Sequence, residues 1–228
     1  MAIDIKKELK KANKYIDHTL LKPEATSTQI LKLCEEAKTY DFMSVCINPC
    51  FVSLAKKALK KTNVLVCTVI GFPLGASSTS IKVAETRQAI KDGASEIDMV
   101  INIGWAKEHK YDLILKQINA IKNVCKGKTL KVIIETCLLT PEEIKELTKI
   151  VSKSKADFIK TSTGFSKAGA TIKDVKLMVE NKTKRLKVKA AGGIRDYQTF
   201  VEMIKAGADR IGASAGVSIM EELKKKGV

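Results

Sequence analysis

The sequence lacks an apolar run long enough to span a membrane. Its first residues, 1–7, alternate charged with apolar side chains, so the apolar core of a secretory signal peptide is missing as well. We therefore expect a cytoplasmic protein that does not contact a membrane. At 228 residues and 45% hydrophobic content, the chain is long enough to bury a substantial core.

The cysteines and histidines of the sequence do not have the spacings that are typical of metal sites. The six cysteines form no C-x-x-C pair, and the two histidines, His18 and His109, lie far apart. We interpret the cysteines as reduced thiols in or near the core, and we expect neither a metal ion nor another cofactor. A metal-dependent enzyme is the weaker alternative, which loss of activity with EDTA would support.

Arginine is scarce although the chain is strongly basic. The net charge is +16, yet arginine occurs only at positions 87, 185, 195 and 210. Proteins that bind nucleic acid favour arginine and cluster their basic residues, whereas these lysines are spread along every predicted helix. We therefore expect no nucleic-acid partner and interpret the positive field as an attraction for a phosphorylated metabolite. A basic nucleic-acid-binding barrel is the alternative, which salt-sensitive RNA binding would favour.

Strand and helix patterns alternate eight times along the chain after a short amphipathic helix predicted at 2–13. The predicted strands lie at 15–21, 44–48, 64–70, 96–101, 130–135, 158–161, 186–190 and 210–213. The predicted helices lie at about 27–40, 49–60, 77–91, 105–126 with a break near His109, 141–154, 171–181, 196–205 and 216–225.

This alternation predicts one α/β domain over residues 1–228, a (β/α)8 TIM barrel with a short N-terminal helix. The joints before even-numbered strands resemble one another, as in 92–95 and 206–209, and no linker interrupts the series. A doubly wound open sheet is the alternative. Such a sheet usually has a glycine-rich dinucleotide loop after its first strand, and the residues found there, 19–23, contain no glycine.

A lysine interrupts the sixth predicted strand, in the segment 157–165. Alternation places Phe158 and Lys160 on one face of that strand. A buried lysine is costly unless it is paired or neutral. It is therefore either the lysine of an edge strand that reaches water, or a neutral amine that attacks a carbonyl. A closed barrel has no edge strand, which favours the neutral amine.

Lys189 on the next predicted strand and Asp98 on the fourth are the expected partners of Lys160. Two ammonium groups in one cavity of low dielectric constant repel each other, so that one of them loses its proton. Asp98 is then a candidate proton carrier. The alternative for Asp98 is a salt bridge that only neutralises one lysine.

Glycine and serine follow the last two strands. Gly192 and Gly193 come directly before a predicted helix, and Ser214 comes before the last one. Barrels often bind phosphate at these positions, because main-chain N–H groups at helix N-termini favour an anion. We therefore predict a phosphate site there.

Several motifs together resemble the deoxyribose-phosphate aldolase family, over essentially the whole chain. They are Phe-Ile-Lys-Thr-Ser-Thr-Gly-Phe at 158–165, Lys-Val-Lys-Ala-Ala-Gly-Gly-Ile-Arg at 187–195, Glu-Ile-Asp-Met-Val-Ile-Asn at 96–102, and the segments 16–23 and 69–75. The resemblance implies a class I aldolase of deoxyribose catabolism that acts without a metal. Its substrates would be 2-deoxyribose 5-phosphate, glyceraldehyde 3-phosphate and acetaldehyde. A Schiff-base barrel aldolase with a different donor is the nearest alternative.

The resemblance also implies roles for single residues. Lys160 would form the Schiff base, Lys189 would favour its neutral amine, and Asp98 would transfer protons with it through water. The residues expected around the substrate and its phosphate are Thr163, Gly164, Gly192, Gly193 and Ser214. The family further implies a homodimer or a monomer.

The sequence departs from the family pattern at the phosphate end. Phe165 stands where some members have lysine, and Ala215 stands where many have a second serine. One phosphate contact is therefore either missing or supplied by a main-chain N–H or Lys167. The tyrosine-bearing tail of some members is absent from 224–228, which puts a proton role of the tail in doubt. Cys46 is expected close enough to the site to be open to modification.

Overall fold

Eight short segments, rich in branched apolar residues, form parallel strands that close into a barrel in chain order. The computed structural model describes residues 4–227. The strands are β1 Ile16–Leu20, β2 Ser44–Ile47, β3 Leu65–Ile70, β4 Glu96–Val100, β5 Thr129–Ile133, β6 Phe158–Lys160, β7 Lys187–Ala191 and β8 Arg210–Ala213. β1 also pairs with β8, which closes the barrel and shows the predicted TIM-barrel fold. The open-sheet alternative is wrong.

The helices surround the strands. They are α1 Ile5–Leu9, α2 Ser27–Thr39, α3 Val52–Ala58, α4 Thr79–Asp92, α5 Ile103–Lys107, α6 Tyr111–Val124, α7 Pro141–Lys153, α8 Ile172–Asn181, α9 Tyr197–Lys205 and α10 Gly216–Lys225. The region predicted at 105–126 is two helices, and His109 between them has a left-handed φ of 56°. The N-terminal helix predicted at 2–13 is shorter, since a 3-10 turn follows it at Ala12–Tyr15, and positions 2 and 3 lie outside the described residues.

Helix starts follow the local signals of the sequence. At α7, Thr140 Oγ1 accepts a hydrogen bond from the Glu143 N–H, and the Glu143 carboxylate accepts one from the Thr140 N–H. With Pro141 at the first helical position, this capping box directs the chain into the helix. α7 therefore begins where the sequence predicted.

Strand alternation separates the two faces of the barrel wall. Ile97 and Ile159 belong to the main hydrophobic core, whereas the residues next to them, Asp98 and Lys160, hydrogen-bond to each other inside the barrel. The parallel register sets Lys160 beside Lys189 on β7. The polar side chains are thus enclosed by apolar layers. None of the helices between residues 4 and 227 has the length and apolar composition needed to cross a membrane.

Candidate active site

Lys160 lies at the C-terminal end of β6, at the base of an open cavity of about 290 Å³. Its side chain is 3% exposed, and its Nζ donates a hydrogen bond to Asp98 Oδ2 at 2.9 Å. The amine therefore faces the cavity from a nearly closed environment. A group in this position can meet a ligand in the cavity while bulk water is largely excluded.

The structure brings the three predicted catalytic residues together. Lys189 Nζ donates to the same oxygen, Asp98 Oδ2, at 2.8 Å, and it also pairs with Asp17 Oδ2 at 2.5 Å. Lys160 and Lys189 thus share one carboxylate oxygen, while Lys189 has Asp17 as a second carboxylate partner.

Four more charged residues belong to this buried cluster, and sequence reasoning missed them. Lys131 donates to Glu96 at 2.6 Å and to Asp98 Oδ1 at 2.9 Å. Arg210 donates to both oxygens of Glu96 at 2.6 and 2.8 Å, and its Nε lies 3.3 Å from Asp17 Oδ1. The signal was present, because each is a charged residue inside a predicted strand, as Lys160 is. Glu96 also shares a strand face with Asp98.

Within this cluster the cations outnumber the carboxylates by one. The carboxylates are Asp17, Glu96 and Asp98, and the cations are Lys131, Lys160, Lys189 and Arg210. An uncompensated charge inside a protein is costly. Lys160 is the least compensated lysine of the cluster, because it has a single carboxylate partner and a face open to the cavity.

The electrostatics of the other members support this assignment. Burial alone disfavours the charged form of Lys189, but Asp17 and Asp98 outweigh it and raise its pKa above the usual range. The same balance, with Asp98 as the largest attraction, holds the pKa of Lys131 well above its usual value. Burial raises the pKa of Asp98, but the three lysines reverse this and hold it well below its usual range. Lys131, Lys189 and Asp98 therefore stay charged.

Two thiols lie under the same carboxylate. Cys67 donates a hydrogen bond to Asp98 Oδ1 at 3.1 Å and accepts one from Lys131 at 3.3 Å. Cys46 is fully buried, which argues against the expectation that it is open to modification. Ligand atoms of Cys46, Cys67 and Asp98 lie within 4.8 Å of one another, as in a metal site. The ammonium groups around Asp98 disfavour a cation there.

All five residues predicted to bind the substrate line the cavity above Lys160. They are Thr163, Gly164, Gly192, Gly193 and Ser214. Gly192 and Gly193 have φ of 86° and 80°, a left-handed conformation that glycine adopts without strain. Their turn lies between β7 and α9, and main-chain N–H groups ahead of a helix are the kind of donor that favours an anion.

The segment between β6 and α8 is docked onto the end of β7. The Ala170 N–H donates to the carbonyl oxygens of Ala191 and Gly192, both at 3.1 Å. Gly169 packs so closely that an added Cβ would lie 2.1 Å from Gly192 O. At the start of the segment, Thr163 donates through its N–H and its hydroxyl to the buried carboxylate of Glu135. Both ends of the segment are therefore fixed.

The cavity is lined by two cations that the sequence did not single out. Lys22 and Arg195 line the cavity, whereas Lys167, the suggested replacement, does not. Phe165 lines it too and meets the ring of Phe72 edge to face at 5.3 Å between centroids. The position of the expected lysine is therefore an apolar wall. No residue of the tail from 224 to 227 lines the cavity.

Comparison with known families agrees with this geometry. The model described as "DeoC/LacD family aldolase" matches residues 11–222. The deoxyribose-phosphate aldolase of Clostridium tetani (strain Massachusetts / E88) is 58% identical over 212 residues, which cover 92% of this chain and 98% of that protein. The deoxyribose-phosphate aldolase of Finegoldia magna is 58% identical over 209 residues, with the same shares of the two chains.

Solved structures agree as well. QR15, an aldolase, superposes with a TM-score of 0.91 at 44% identity, covering 95% of this chain and 97% of its own. The deoxyribose phosphate aldolase from Aeropyrum pernix, described as having a unique tetrameric structure, gives a TM-score of 0.89 at 30% identity. That match covers 96% of this chain and 93% of the other.

Proposed function

The chain belongs to the DeoC/LacD family of aldolases, and we propose that Lys160 is the residue through which it reacts. The activity is that of a deoxyribose-phosphate aldolase, the reversible cleavage of 2-deoxy-D-ribose 5-phosphate to D-glyceraldehyde 3-phosphate and acetaldehyde. The observation that supports Lys160 is the surplus cation of the buried cluster. Since Lys131 and Lys189 are held charged by carboxylates, Lys160 is the lysine that remains to act as the nucleophile.

In the direction of cleavage, the reaction begins at the aldehyde carbon of the open-chain sugar phosphate. The Lys160 amine adds to this carbon and water leaves, which forms a protonated imine that withdraws electrons from carbon 2. The bond between carbons 2 and 3 then breaks as the hydroxyl on carbon 3 loses its proton, and glyceraldehyde 3-phosphate is released. Protonation of the remaining enamine at carbon 2, followed by hydrolysis, gives acetaldehyde and restores the amine.

Asp98 and Lys189 act on these proton transfers. Asp98 accepts a hydrogen bond from Lys160 at 2.9 Å and keeps its negative charge, so it can orient a water that carries protons to and from the reacting carbons. Lys189 donates to the same oxygen at 2.8 Å, and its fixed positive charge keeps Asp98 ionised in this role.

The substrate is a phosphorylated sugar, and we assign its phosphate to the end of the cavity lined by Gly192, Gly193 and Ser214. Gly164 and Thr163 close the neighbouring side. Lys22 and Arg195 supply positive charge in place of residue 165. The sugar carbons then lie between this end and Lys160.

Reduction of the imine tests the proposal. Borohydride added with acetaldehyde should leave an N-ethyl group on Lys160, found by mass spectrometry of the digested protein. Lys160→Ala should abolish this labelling, and Lys187→Ala should not, because Lys187 is an exposed residue of the neighbouring strand. Labelling that survives Lys160→Ala unchanged would show that the assignment is wrong.

We propose a single domain, a homodimer and a cytoplasmic location. The strands from residue 16 to 213 close one barrel, which supports a single domain. The homodimer and the location rest on the family resemblance and on the sequence. Light scattering after gel filtration tests the assembly, and a mass of one or four chains would contradict the homodimer.

A further inference from the structure

A further fully buried lysine, Lys82, lies outside the charged cluster. It belongs to the first turn of α4, and no carboxylate between residues 4 and 227 forms an ion pair with it. Its Nζ donates hydrogen bonds to Gly75 O and Val100 O, both at 2.7 Å, and to Gln117 Oε1 at 2.9 Å. Three acceptors converge on one ammonium group. These three hydrogen bonds, which we call the Lys82 tie, connect α4 to the segments that carry the acceptors.

The acceptors belong to two segments beside the active site. Gly75 ends the loop 71–75 between β3 and α4, and Val100 is the last residue of β4, two positions after Asp98. One turn further along α4, the Glu85 carboxylate accepts a hydrogen bond from the Gly71 N–H at 2.8 Å. Both ends of the loop are therefore fastened to the start of the same helix.

The packing leaves the loop no alternative position while Lys82 is in place. The Gly75 N–H donates to Gly71 O at 2.7 Å across the loop. A Cβ added to Gly71 would lie 2.6 Å from Lys82 Cε, and one added to Gly75 would lie 1.8 Å from Ile101 O. The lysine stem thus fills the space under the loop while its ammonium group holds the loop's end.

The loop in turn supports a wall of the substrate cavity through Phe72, which packs behind residues that line the cavity. Phe72 packs against the small cluster of Leu21, Cys46, Cys67 and Val69, and it meets Phe165 edge to face. Leu21 and Phe165 both line the cavity. A shift of the loop therefore moves two parts of the cavity wall.

We propose that Lys82 is a positioning residue for the aldolase reaction. It fixes the position of Phe72 in the loop 71–75, and it fixes the end of β4, the strand that carries Asp98. The expected effect of Lys82 on the kinetics of the reaction rests on the proposed function. The structural part of the inference, the Lys82 tie between α4, the loop 71–75 and β4, does not depend on that function.

The Lys82 tie depends on protonation of the Lys82 side-chain amine. Burial lowers the pKa of Lys82 to about 8, and Glu85 on the same helix opposes the shift. The partners from the loop, β4 and α6 are two main-chain carbonyls and the neutral Gln117 amide. A neutral amine donates two hydrogen bonds instead of three. Above about pH 8, one acceptor therefore loses its donor.

The kinetic test compares Lys82→Met with Lys91→Met, an exposed lysine of the same helix. We expect Lys82→Met to raise KM for 2-deoxyribose 5-phosphate about tenfold, with a smaller fall in kcat, because the cavity wall loses its support. KM of the wild type should also rise as the pH passes about 8, and this rise should be absent from Lys82→Met. Lys91→Met should behave as the wild type in both respects.

Hydrogen exchange tests the structural part without reference to catalysis. In Lys82→Met the amides of the loop 71–75 should exchange faster than in the wild type, and in Lys91→Met they should not. Unchanged KM together with unchanged exchange would overturn the proposal. If Lys82→Met does not fold, Gln117→Met removes one acceptor and should produce the same changes to a smaller degree. Absence of acetaldehyde trapping in the wild type would refute the proposed function and leave the exchange result standing.

Discussion

Asp98 accepts hydrogen bonds from three lysines, and these lysines are unequally paired. Lys131 and Lys189 each have a further carboxylate, Glu96 and Asp17 respectively. Lys160 has only its share of Asp98. The lysine that we propose as the nucleophile is thus the one with the fewest carboxylate partners, and its neighbours stay charged because they are better paired.

Removal of the second cation should change the pH dependence of the reaction. In Lys189→Leu the positive charge beside Lys160 is absent, and loss of a neighbouring cation favours the charged form of an amine. We expect the optimum of kcat/KM to move upward by about one pH unit. The measurement is a pH profile of both proteins.

Lys187→Leu is the control for this change, because Lys187 is exposed and lies two positions earlier on the same strand. Its profile should match that of the wild type. A Lys189→Leu profile with an unchanged optimum would contradict the role of the paired lysines.

At the scale of elements, the site depends on how the segment after β6 meets the end of β7. The Ala170 N–H bonds and the contact of Gly169 with Gly192 join the two segments. Thr163 and Gly164 belong to the first and Gly193 to the second. Their common position around the cavity therefore depends on a close approach of two backbones.

Gly169→Ala should disturb this junction. The new methyl group would lie 2.1 Å from Gly192 O, so the segment must move away from β7. We expect KM for the sugar phosphate to rise about tenfold or more, since displaced binding groups no longer hold the substrate in the geometry of the reaction. Steady-state kinetics measure the effect.

Gly127→Ala is the matched control. Unlike Gly169, Gly127 has a positive φ, of 80°, but no atom lies within 4 Å of the added Cβ. This variant should lose some stability and keep its KM. An unchanged KM in Gly169→Ala would show that the junction does not position the substrate groups.

At the scale of the whole molecule, the charges fall into an exterior and an interior population. The net charge of +16 comes mainly from lysines on helix faces, whereas the cluster inside the barrel approaches balance. The exterior charge bears on solubility and on attraction of an anionic substrate. The residues of the interior cluster contribute to stability, because their ion pairs connect six strands of the barrel, which are β1, β4, β5, β6, β7 and β8.

Acid should therefore unfold the protein through its buried carboxylates. Burial raises the pKa of Asp17, but Arg210, Lys189 and Lys131 reverse this and hold it below its usual value. A carboxyl group with a lowered folded-state pKa contributes stability above its unfolded pKa of about 3.9, and this contribution is lost as the pH falls below that value. The barrel should lose stability below about pH 4.

The comparison of wild type with Asp17→Asn isolates this contribution. At pH 7 we expect the variant to be less stable by about 3–5 kcal/mol, because buried cations lose a partner. The difference should shrink as the pH falls below about 4, as measured by urea unfolding. Asp41→Asn is the control, since Asp41 pairs with Lys14 at the surface, and it should cost less than about 1 kcal/mol at any pH. A constant difference between pH 7 and pH 2 would contradict the assignment.

Local pattern was sufficient for the succession of elements and for the residues at strand ends. The alternation of apolar strands with capped helices predicted the barrel, and the topology rule that active sites lie at the C-terminal ends of strands pointed to Lys160, Asp98 and Lys189. These features depend on periodicity and on chain order, which a single sequence contains. Their catalytic roles stay predictions until the variants above are measured.

Only the tertiary structure determined which other charged residues join Lys160, Asp98 and Lys189 in one buried cluster. Asp17, Lys131 and Arg210 look in the sequence like isolated charges in strands, and Lys82 looks like one more lysine of a helix. Their partners lie across the barrel or on another layer, at distances set by barrel closure and side-chain packing. A hydrogen bond is made or lost within a fraction of an ångström. Sequence periodicity determines which face a residue occupies, and only the packed barrel determines which residues on that face touch.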